Sequence, residues 1–414
     1  MTTKSLGILA GTAVAFGANS GLLAESVNAD EVRAIVAEMM ADSQARTLNL
    51  AGADAGHDGK FYMADGSGDF RLNVSGQIQF RYTANFSDDG GAVGDDFEGG
   101  FSTRRTKLKF HGNAFGDMFY NVTGAFDRDG GDFTLEDAYV GTNVDDNSKV
   151  RWGQFKLPFM REELVSSTRQ LAADRSLVNE TFNQGRSQGV EYSHNSDDFR
   201  FAVAFSDGFR SANTDWPAGP AGGIGGGGEN DYAFTGRVEW KGAGEWGQFK
   251  DFSGAAGQDY GLLLGAAAHY QDHDMAGADV FLWTIDLSVE GDGWNVFAAV
   301  VGSHPDTNPA TGGSTDDFGY VVQGGMFLPD SDWEIFARWD MVSPDSAYAA
   351  DDDHSTLTFG VNNYIHGHAA KFTLDLQWHL DEANSITPGN SGIGYLGDDD
   401  EDEVAIRAQF QLLF

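Results

Sequence analysis

Long segments of this sequence alternate strictly between apolar and polar residues. Over residues 70–86 one face is apolar apart from one glycine, while the opposite face is polar from Arg71 to Arg81. A period of two indicates a β-strand with one apolar face. Comparable segments mostly run 8 to 13 residues, close to the roughly 9–11 that a tilted membrane-spanning strand needs and longer than the about 5–6 of a soluble sandwich. Their length favours strands that cross a membrane.

Sixteen segments of this kind can be counted along the chain. They lie at 70–86, 101–112, 118–127, 132–143, 149–157, 187–194, 199–206, 231–241, 259–271, 279–290, 293–302, 317–328, 332–341, 355–366, 369–380 and 402–414. An even number suits a closed antiparallel barrel with both termini on one side, because lipid tolerates no unpaired strand edge. We therefore predict an all-β fold, a sixteen-stranded antiparallel transmembrane β-barrel.

The connections between these segments support the same architecture. Those after odd strands are mostly long or acidic and those after even strands are mostly short, with 242–258 as the exception. Long loops on one face and short turns on the other are typical of outer-membrane barrels, whose termini lie in the periplasm. Sixteen strands leave a lumen too wide for side chains to fill, so water enters it and the architecture implies a channel.

The first 60 residues have a different pattern. Lys4 precedes an apolar run at 6–16 that small residues follow, which is the layout of a secretory signal peptide, and the run is too short to span a bilayer. Apolar residues then recur at spacings of three and four, which predicts a short N-terminal helix. We expect a signal peptide at 1–24, a helical periplasmic leader at 25–60 and the transmembrane β-barrel at 61–414. A frayed leader is the alternative.

Composition excludes several classes of function. The chain has no cysteine, which rules out thiol enzymes, disulfide scaffolds and Cys-ligated metal centres. Its 26 basic and 63 acidic residues give a net charge of −37, which repels nucleic acid. The sequence lacks the spacings of a zinc site, a phosphate-binding loop and a serine hydrolase. We expect no enzyme, no catalytic residue, no cofactor and no metal.

The connection after the fifth strand, residues 158–186, differs from a mobile surface loop. It has helix-forming stretches, few glycines and a balance of acidic and basic residues. We predict that it folds into the lumen as a constriction loop, and a structured cap on the outer surface is the alternative. Its charged residues are then candidates to line the pore: Arg161, Glu162, Glu163, Arg169, Arg175 and Arg186.

The second strand is the most cationic one. Its alternation places Arg105, Lys107 and Lys109 on the polar side, and Lys156 lies near the end of the fifth strand. We expect these four side chains to line the pore as well. Carboxylates occur on the same polar faces, so a mixed wall whose charges neutralise each other remains open.

Acidic residues concentrate in the long connections 87–100, 342–354 and 381–401. A ring of carboxylates at a pore mouth attracts cations and slows anions, although salt screens the effect. Such clusters could also hold Ca²⁺ or Mg²⁺, but their spacing does not match an EF-hand and a solvated rim is the simpler interpretation. The charge pattern therefore leaves ion selectivity undecided.

Several motifs together resemble one family of outer-membrane channels. They are EDAYVG (136–141), RWGQFKLPF (151–159), RSQGVEY (186–192), ARWDMVSPD (337–345), NYIHGHAAKFTLDLQW (363–378) and the terminal RAQFQLLF. The chain resembles the porin O/P family, whose best-known members are selective for phosphate and polyphosphate. The resemblance implies a trimer of sixteen-stranded barrels, each narrowed by the loop after strand five.

These observations predict a porin of the bacterial outer membrane. It would provide a water-filled channel for passive diffusion of small hydrophilic solutes and ions, with anions such as phosphate among them. A non-conducting structural or adhesive barrel is the alternative. The expected partners are outer-membrane lipid, two further copies in a homotrimer and the barrel assembly machinery, for which the terminal Phe414 resembles the recognition signal.

Overall fold

The computed structural model of the chain describes residues 53–87, 97–215, 230–273, 279–306, 311–347, 352–382, 386–387, 392–396 and 403–414, together with three helical positions at 34, 37 and 38. The chain divides into two compact units, Met1–Ala53 and Asp54–Phe414. The predicted signal peptide and most of the predicted leader therefore lie outside the described residues. No helix in the described ranges is long and apolar enough to cross a membrane.

The described part of the chain is built almost entirely from β-strands. The two short strands at the start are β1 (Ala53–His57) and β2 (Phe61–Asp65), so residues 53–57 of the predicted helical leader form a strand. The sixteen long strands are β3 (Arg71–Phe86), β4 (Phe97–Ala114), β5 (Met118–Phe126), β6 (Phe133–Asn143), β7 (Ser148–Lys156), β8 (Arg186–Asn195), β9 (Phe199–Ser206), β10 (Asn230–Ala243), β11 (Gly261–His273), β12 (Val280–Gly291), β13 (Trp294–Pro305), β14 (Asp317–Phe327), β15 (Trp333–Ser343), β16 (His354–His368), β17 (Ala370–His379) and β18 (Val404–Leu413).

Helical structure is confined to connections. Helices α1 (Arg161–Leu164) and α2 (Leu177–Phe182) lie between β7 and β8, and a 3-10 turn spans Gln248–Lys250 between β10 and β11. Ser176 caps α2 because its hydroxyl accepts a hydrogen bond from the Asn179 backbone N–H. These helices are too short to be stable alone, so tertiary contacts must hold them.

The long strands close into a barrel. Each of β3 to β18 pairs antiparallel with the next, and β18 pairs back with β3, where Leu412 lies opposite Ile78 and Ala405 opposite Asn85. The prediction of a sixteen-stranded antiparallel barrel is therefore confirmed. Closure leaves the long strands without a free lateral edge, as a strand structure in lipid requires.

Strand β2 pairs with the first residues of β3, which extend past the end of β18. The Gly76 N–H donates a hydrogen bond to the carbonyl of Phe414 at 2.7 Å, which ends the pairing with the last strand. Below this point Arg71–Val74 pair with Phe61–Ala64 instead. The short strand thus pairs backbone groups that would otherwise form an exposed edge.

Side chains on the barrel wall are arranged inversely to those of a soluble protein. Large apolar side chains such as Phe205, Phe234 and Ile285 are exposed on the outside, whereas polar ones such as Gln79 and Gln377 are buried inside. Burial of apolar surface drives folding in water, so this arrangement requires an apolar solvent around the barrel. The outer face suits the hydrocarbon of a membrane.

Candidate functional site

The connection between β7 and β8, residues 157–185, hydrogen-bonds to inward-facing side chains of distant strands. Asn362 on β16 donates to the carbonyl of Leu171 at 2.9 Å, and Lys371 on β17 donates to that of Gln170 at 2.7 Å. Gln411 on β18 donates to the carbonyl of Thr168 at 3.0 Å. These side chains saturate main-chain groups that irregular backbone would leave unpaired. These hydrogen bonds tie the segment to β16, β17 and β18.

An apolar cluster holds the other side of the segment. Phe159, Leu171, Leu177, Val178 and Phe182 are buried against inward-facing residues of the wall, which include Leu282, Phe297, Val301 and Val321. Inward-facing apolar residues are unusual on the polar face of such a strand. Here they provide the surface on which the short helices α1 and α2 pack.

Buried charges on the same wall fix the segment further. The Asp375 carboxylate accepts a hydrogen bond from the Ala173 N–H at 2.8 Å and pairs with Arg407 at 2.7 Å. Asp340 accepts one from the Leu177 N–H at 2.9 Å and pairs with Arg338. These side chains are at most 2% exposed, so they anchor the segment and do not face water.

Three guanidinium groups converge on one carboxylate at the tip of the segment. Asp174 lies 3.0 Å from Arg81, 2.7 Å from Arg104 and 2.6 Å from Arg105. Burial raises the pKa of the Asp174 carboxyl, but the three guanidiniums outweigh burial and hold this pKa well below its usual range. Asp174 therefore stays ionised, and the group as a whole keeps an excess of positive charge.

Arg104 reaches this group because of a β-bulge. Gln79 pairs with Arg105 and the next residue, Phe80, pairs with Thr103, so Arg104 is the extra residue on β4. A bulge reverses the alternation locally and turns an outward side chain inward. Strict alternation assigns Arg104 to the face opposite Arg105, and sequence analysis therefore missed it.

A second bulge lies on β6. Thr123 pairs with Asp137 and Gly124 with Leu135, which leaves Glu136 as the extra residue. Glu136 accepts hydrogen bonds from Lys107 at 2.7 Å and from Arg186 at 3.1 Å, while Asp137 pairs with Arg186 at 2.8 Å. Both bulges thus place two consecutive charged residues on the lumen side.

Two groups of interior cations differ in their exposure. Arg81, Arg338 and Arg407 have side chains at most 1% exposed, covered by the segment 157–185. A second group on β4, β7 and β8 is partly exposed. The members of this group that form ion pairs have side chains between 10% and 20% exposed. We call this second group the cationic strip, and it consists of Arg104, Arg105, Lys107, Lys109, Lys156 and Arg186.

Carboxylates compensate the cationic strip only in part. Four of them pair with it, namely Asp174, Glu136, Asp137 and Glu163. Two of these four are also shared with buried arginines, Asp174 with Arg81 and Glu163 with Arg175. Within the described residues no carboxylate lies within ion-pair distance of Lys109. Six cations thus face four carboxylates, and the surplus is positive.

Glu163 is the acidic partner of Lys156. The Glu163 carboxylate lies 2.5 Å from Lys156 and 3.2 Å from Arg175. Burial raises its pKa, and the two cations reverse the effect, so that the pKa of Glu163 lies below its usual range. The pair joins β7 to the segment that follows it.

Three of the residues predicted to line the pore are buried within the segment or against its supports. Arg161 donates hydrogen bonds to Ser288 and to the carbonyl of Phe249. Glu162 accepts hydrogen bonds from the Ser176 N–H and hydroxyl, and burial raises the pKa of its carboxyl. Arg175 donates to backbone carbonyls of the same segment. These three residues are buried and hold the shape of the segment, whereas the sequence analysis expected them to line the pore.

The long connection 244–260 explains both the position of Arg169 and the exception in the loop pattern. Arg169 pairs with Asp251 at 3.0 Å, and the N–H of Phe252 donates to the carbonyl of Arg169. Phe252 packs on Phe297 inside the barrel, with ring centroids 4.7 Å apart. This connection is long because it supports the segment 157–185 from the short-turn end.

The described residues contain no candidate metal site. In that part of the chain no group of three or more histidine, aspartate or glutamate residues could hold a metal ion. The acidic stretches 88–96, 348–351 and 397–402, which carry most of the suggested divalent-cation ligands, fall outside the described residues.

Comparison with known proteins agrees with this architecture. The chain matches the family model of the phosphate-selective porins O and P over residues 73–290. No curated protein matches the sequence. Among solved structures it is similar to an anion-selective porin from Comamonas acidovorans, with 14% identity, coverage of 83% of this chain and 99% of that chain, and a TM-score of 0.56.

Two further solved structures share the fold. OprB of Pseudomonas putida is 10% identical, with coverage of 83% of this chain and 94% of that chain and a TM-score of 0.54. The outer-membrane channel DcaP of Acinetobacter baumannii is 12% identical, with coverage of 82% and 97% and a TM-score of 0.53. At these identities the similarity shows the fold alone. The closed barrel and the family match together establish that the chain belongs to the phosphate-selective porin O and P family, and that it is an outer-membrane porin and not an enzyme.

Proposed function

We propose that this porin lets small hydrophilic solutes and ions diffuse passively across the outer membrane and that it favours anions, inorganic phosphate among them. The cationic strip carries this proposal. Its six cations exceed the carboxylates that contact them, and they are partly exposed to the lumen. Rings or rows of Arg and Lys are the usual means by which a pore selects anions.

The segment 157–185 supports the proposal as a constriction loop. It packs against the inner wall of β12 to β18, which carries the buried Arg338 and Arg407. A passage on the other side of this segment would run past β4, β7 and β8. Ions would then pass close to the cationic strip, where the low-dielectric wall strengthens its field.

The acidic connections do not cancel this field. Glu98 marks the acidic end of β4, nine residues from Lys107. At about 3.3 Å per residue these positions are roughly 30 Å apart, well beyond the screening length of about 8–10 Å at physiological salt. Carboxylates at the mouth would therefore alter the approach of ions more than the selection made at the strip.

We also propose that the porin assembles as a homotrimer, as the family resemblance implies. The outer face of β11 offers small and apolar side chains, including Leu264, Ala266 and Ala268, while Leu263 and Ala267 face inward. Small residues allow close approach of a neighbouring barrel. Crosslinking in native membranes, followed by electrophoresis, tests this assembly.

The decisive test of selectivity is the reversal potential of the purified porin in a planar bilayer under a tenfold KCl gradient, repeated with phosphate on one side. We expect a potential of anionic sign and a chloride current that phosphate reduces. A potential near zero or of cationic sign, without block by phosphate, would overturn anion preference. The absence of any conductance would favour a structural or adhesive barrel.

A further inference from the structure

A cavity of about 210 Å³ opens between β7, β8, β9 and β10 near the short-turn end of the barrel. Because short turns of outer-membrane barrels face the periplasm, we call it the periplasmic cavity. Lys149, Arg151, Ser193 and Arg200 supply polar groups to its wall, and Pro158 and Leu164 close one side. The cavity adjoins the end of the cationic strip at Lys156, because Pro158 and Leu164 line it and Arg151 donates a hydrogen bond to the Lys156 carbonyl.

Positive charge in the cavity exceeds negative charge. Arg151 pairs with Glu191 at 2.7 Å, and Glu239 pairs with Arg237 at 3.0 Å. Lys149 and Arg200 instead lie over aromatic rings, Lys149 at 5.8 Å from the centre of Phe119 and Arg200 at 3.8 Å from that of Trp246.

The rings position the two cations without neutralising them. Within the described part of the chain no carboxylate lies within ion-pair distance of Lys149 or Arg200. Glu191 and Glu239 also line the cavity, with Glu239 opposite Arg200 in register, so its four basic side chains Lys149, Arg151, Arg200 and Arg237 exceed two carboxylates.

Polar atoms without partners lie between these two cations. Lys149 pairs in register with Ser193, and Asn195 with Arg200, so Ser193 lies between the two cations on the middle strand. The Ser193 hydroxyl and the Nε of Arg200 are buried and have no hydrogen-bond partner. Unpaired buried polar groups cost about 1–3 kcal/mol each, which a bound acceptor would offset.

The opposite side of the cavity is apolar. Pro158 and Leu164 of the segment 157–185 form this side. Inorganic phosphate offers acceptors in every direction and would leave some of them unpaired against these side chains. A carboxylate attached to a small apolar body matches both sides of the cavity.

We propose that the periplasmic cavity binds a small organic carboxylate, with its charged group between Lys149, Ser193 and Arg200 and its apolar part against Pro158 and Leu164. The site uses none of the six cations of the cationic strip and does not depend on the selectivity proposed for the strip. It would retain organic acids at the periplasmic mouth, where they would compete with other solutes for the channel.

Current block in planar bilayers tests this site, with benzoate as the organic anion and inorganic phosphate as the comparison. We expect benzoate to reduce the current saturably and at lower concentration from the periplasmic side. Lys149→Gln and Arg200→Gln should each raise the half-blocking benzoate concentration at least tenfold. Lys250→Gln, which removes an exposed cation from the neighbouring connection and not from the cavity, should leave it unchanged.

Leu164→Ser separates the two ligand classes. It should weaken block by benzoate several-fold and leave the effect of phosphate unaltered. Block that survives both Lys149→Gln and Arg200→Gln would overturn the site, and equal responses of benzoate and phosphate to all variants would show a plain inorganic-anion site and overturn the proposed ligand. A cationic reversal potential with intact benzoate block would refute anion selection by the strip and leave this site standing.

Discussion

Lys109 provides the cleanest test of the cationic strip. It lies on β4 two residues from Lys107, is half-buried, and has no ion-pair partner within the described residues. Lys109→Gln therefore removes one positive charge without leaving a carboxylate uncompensated. Lys109→Glu changes the charge by two units at the same place, which provides an internal scale.

The size of the effect follows from Coulomb's law. An ion passing about 5 Å from a unit charge in water interacts with it by about 0.8 kcal/mol. Screening at about 0.1 M salt, where the Debye length is about 10 Å, reduces this to about 0.5 kcal/mol. When the lysine charge is removed, a passing anion loses about 0.5 kcal/mol of attraction and a passing cation is freed from about 0.5 kcal/mol of repulsion. The difference between their energies in the pore therefore changes by about 1 kcal/mol. The anion-to-cation permeability ratio should fall about fivefold for Lys109→Gln and about 25-fold for Lys109→Glu.

Reversal potentials under a KCl gradient report this ratio directly. The shift in reversal potential caused by Lys109→Gln should be larger at low salt than at high salt, because screening shortens the range over which the lysine charge acts. Lys250→Gln is the matched control, since that lysine is exposed on the connection between β10 and β11. If Lys109→Gln shifts the potential no more than Lys250→Gln does, ions do not pass close to the strip and the proposed selectivity mechanism is refuted.

Three further predictions concern the anchor of the loop and the assembly of the barrel. Asp174→Asn removes the carboxylate shared by three arginines, which costs about 3 kcal/mol of the free energy that holds the segment 157–185 in place. We expect noisier open-channel currents and an unchanged thermal unfolding of the barrel. Quiet currents would contradict the anchoring role. Since the Asp174 pKa is lowered despite burial, the stabilisation that the ionised Asp174 carboxylate provides is complete above about pH 4 and is lost as pH falls through the lowered pKa. Current noise should therefore stay constant from about pH 7 to 5. A transition near pH 6 would contradict the assignment of the anchoring to Asp174. Phe414→Asp should reduce the yield of folded barrel on heat-modifiability gels and leave the conductance of inserted channels unchanged, because it replaces an apolar side chain that is 44% exposed on the outer face with a carboxylate. Normal insertion would count against a role in assembly.

Much of the barrel could be predicted from the sequence because alternation is a local property. A residue's face in a strand follows from its position in the chain, so the apolar outer face of β3 can be recognised from the run Leu72 to Tyr82. The count of strands and the alternation of long and short connections then imply closure. The same local rule places Arg105, Lys107 and Lys109 together on β4.

Tertiary structure decided which charges face the lumen and which are buried. Arg104 and Glu136 face inward because each is the extra residue in a bulge, and a bulge is defined by the register between two strands. Arg338 and Arg407 share the polar periodicity of the strip, but the segment 157–185 covers them.

By itself the sequence determined the strands, their two faces and the family, because these depend on neighbours along one chain. Only the folded barrel decided that Asp174 joins three arginines and that Lys149 and Arg200 lie over aromatic rings without an ion pair in the described residues. Coulomb energies depend on distances between residues far apart in the chain, and periodicity carries no information about those distances.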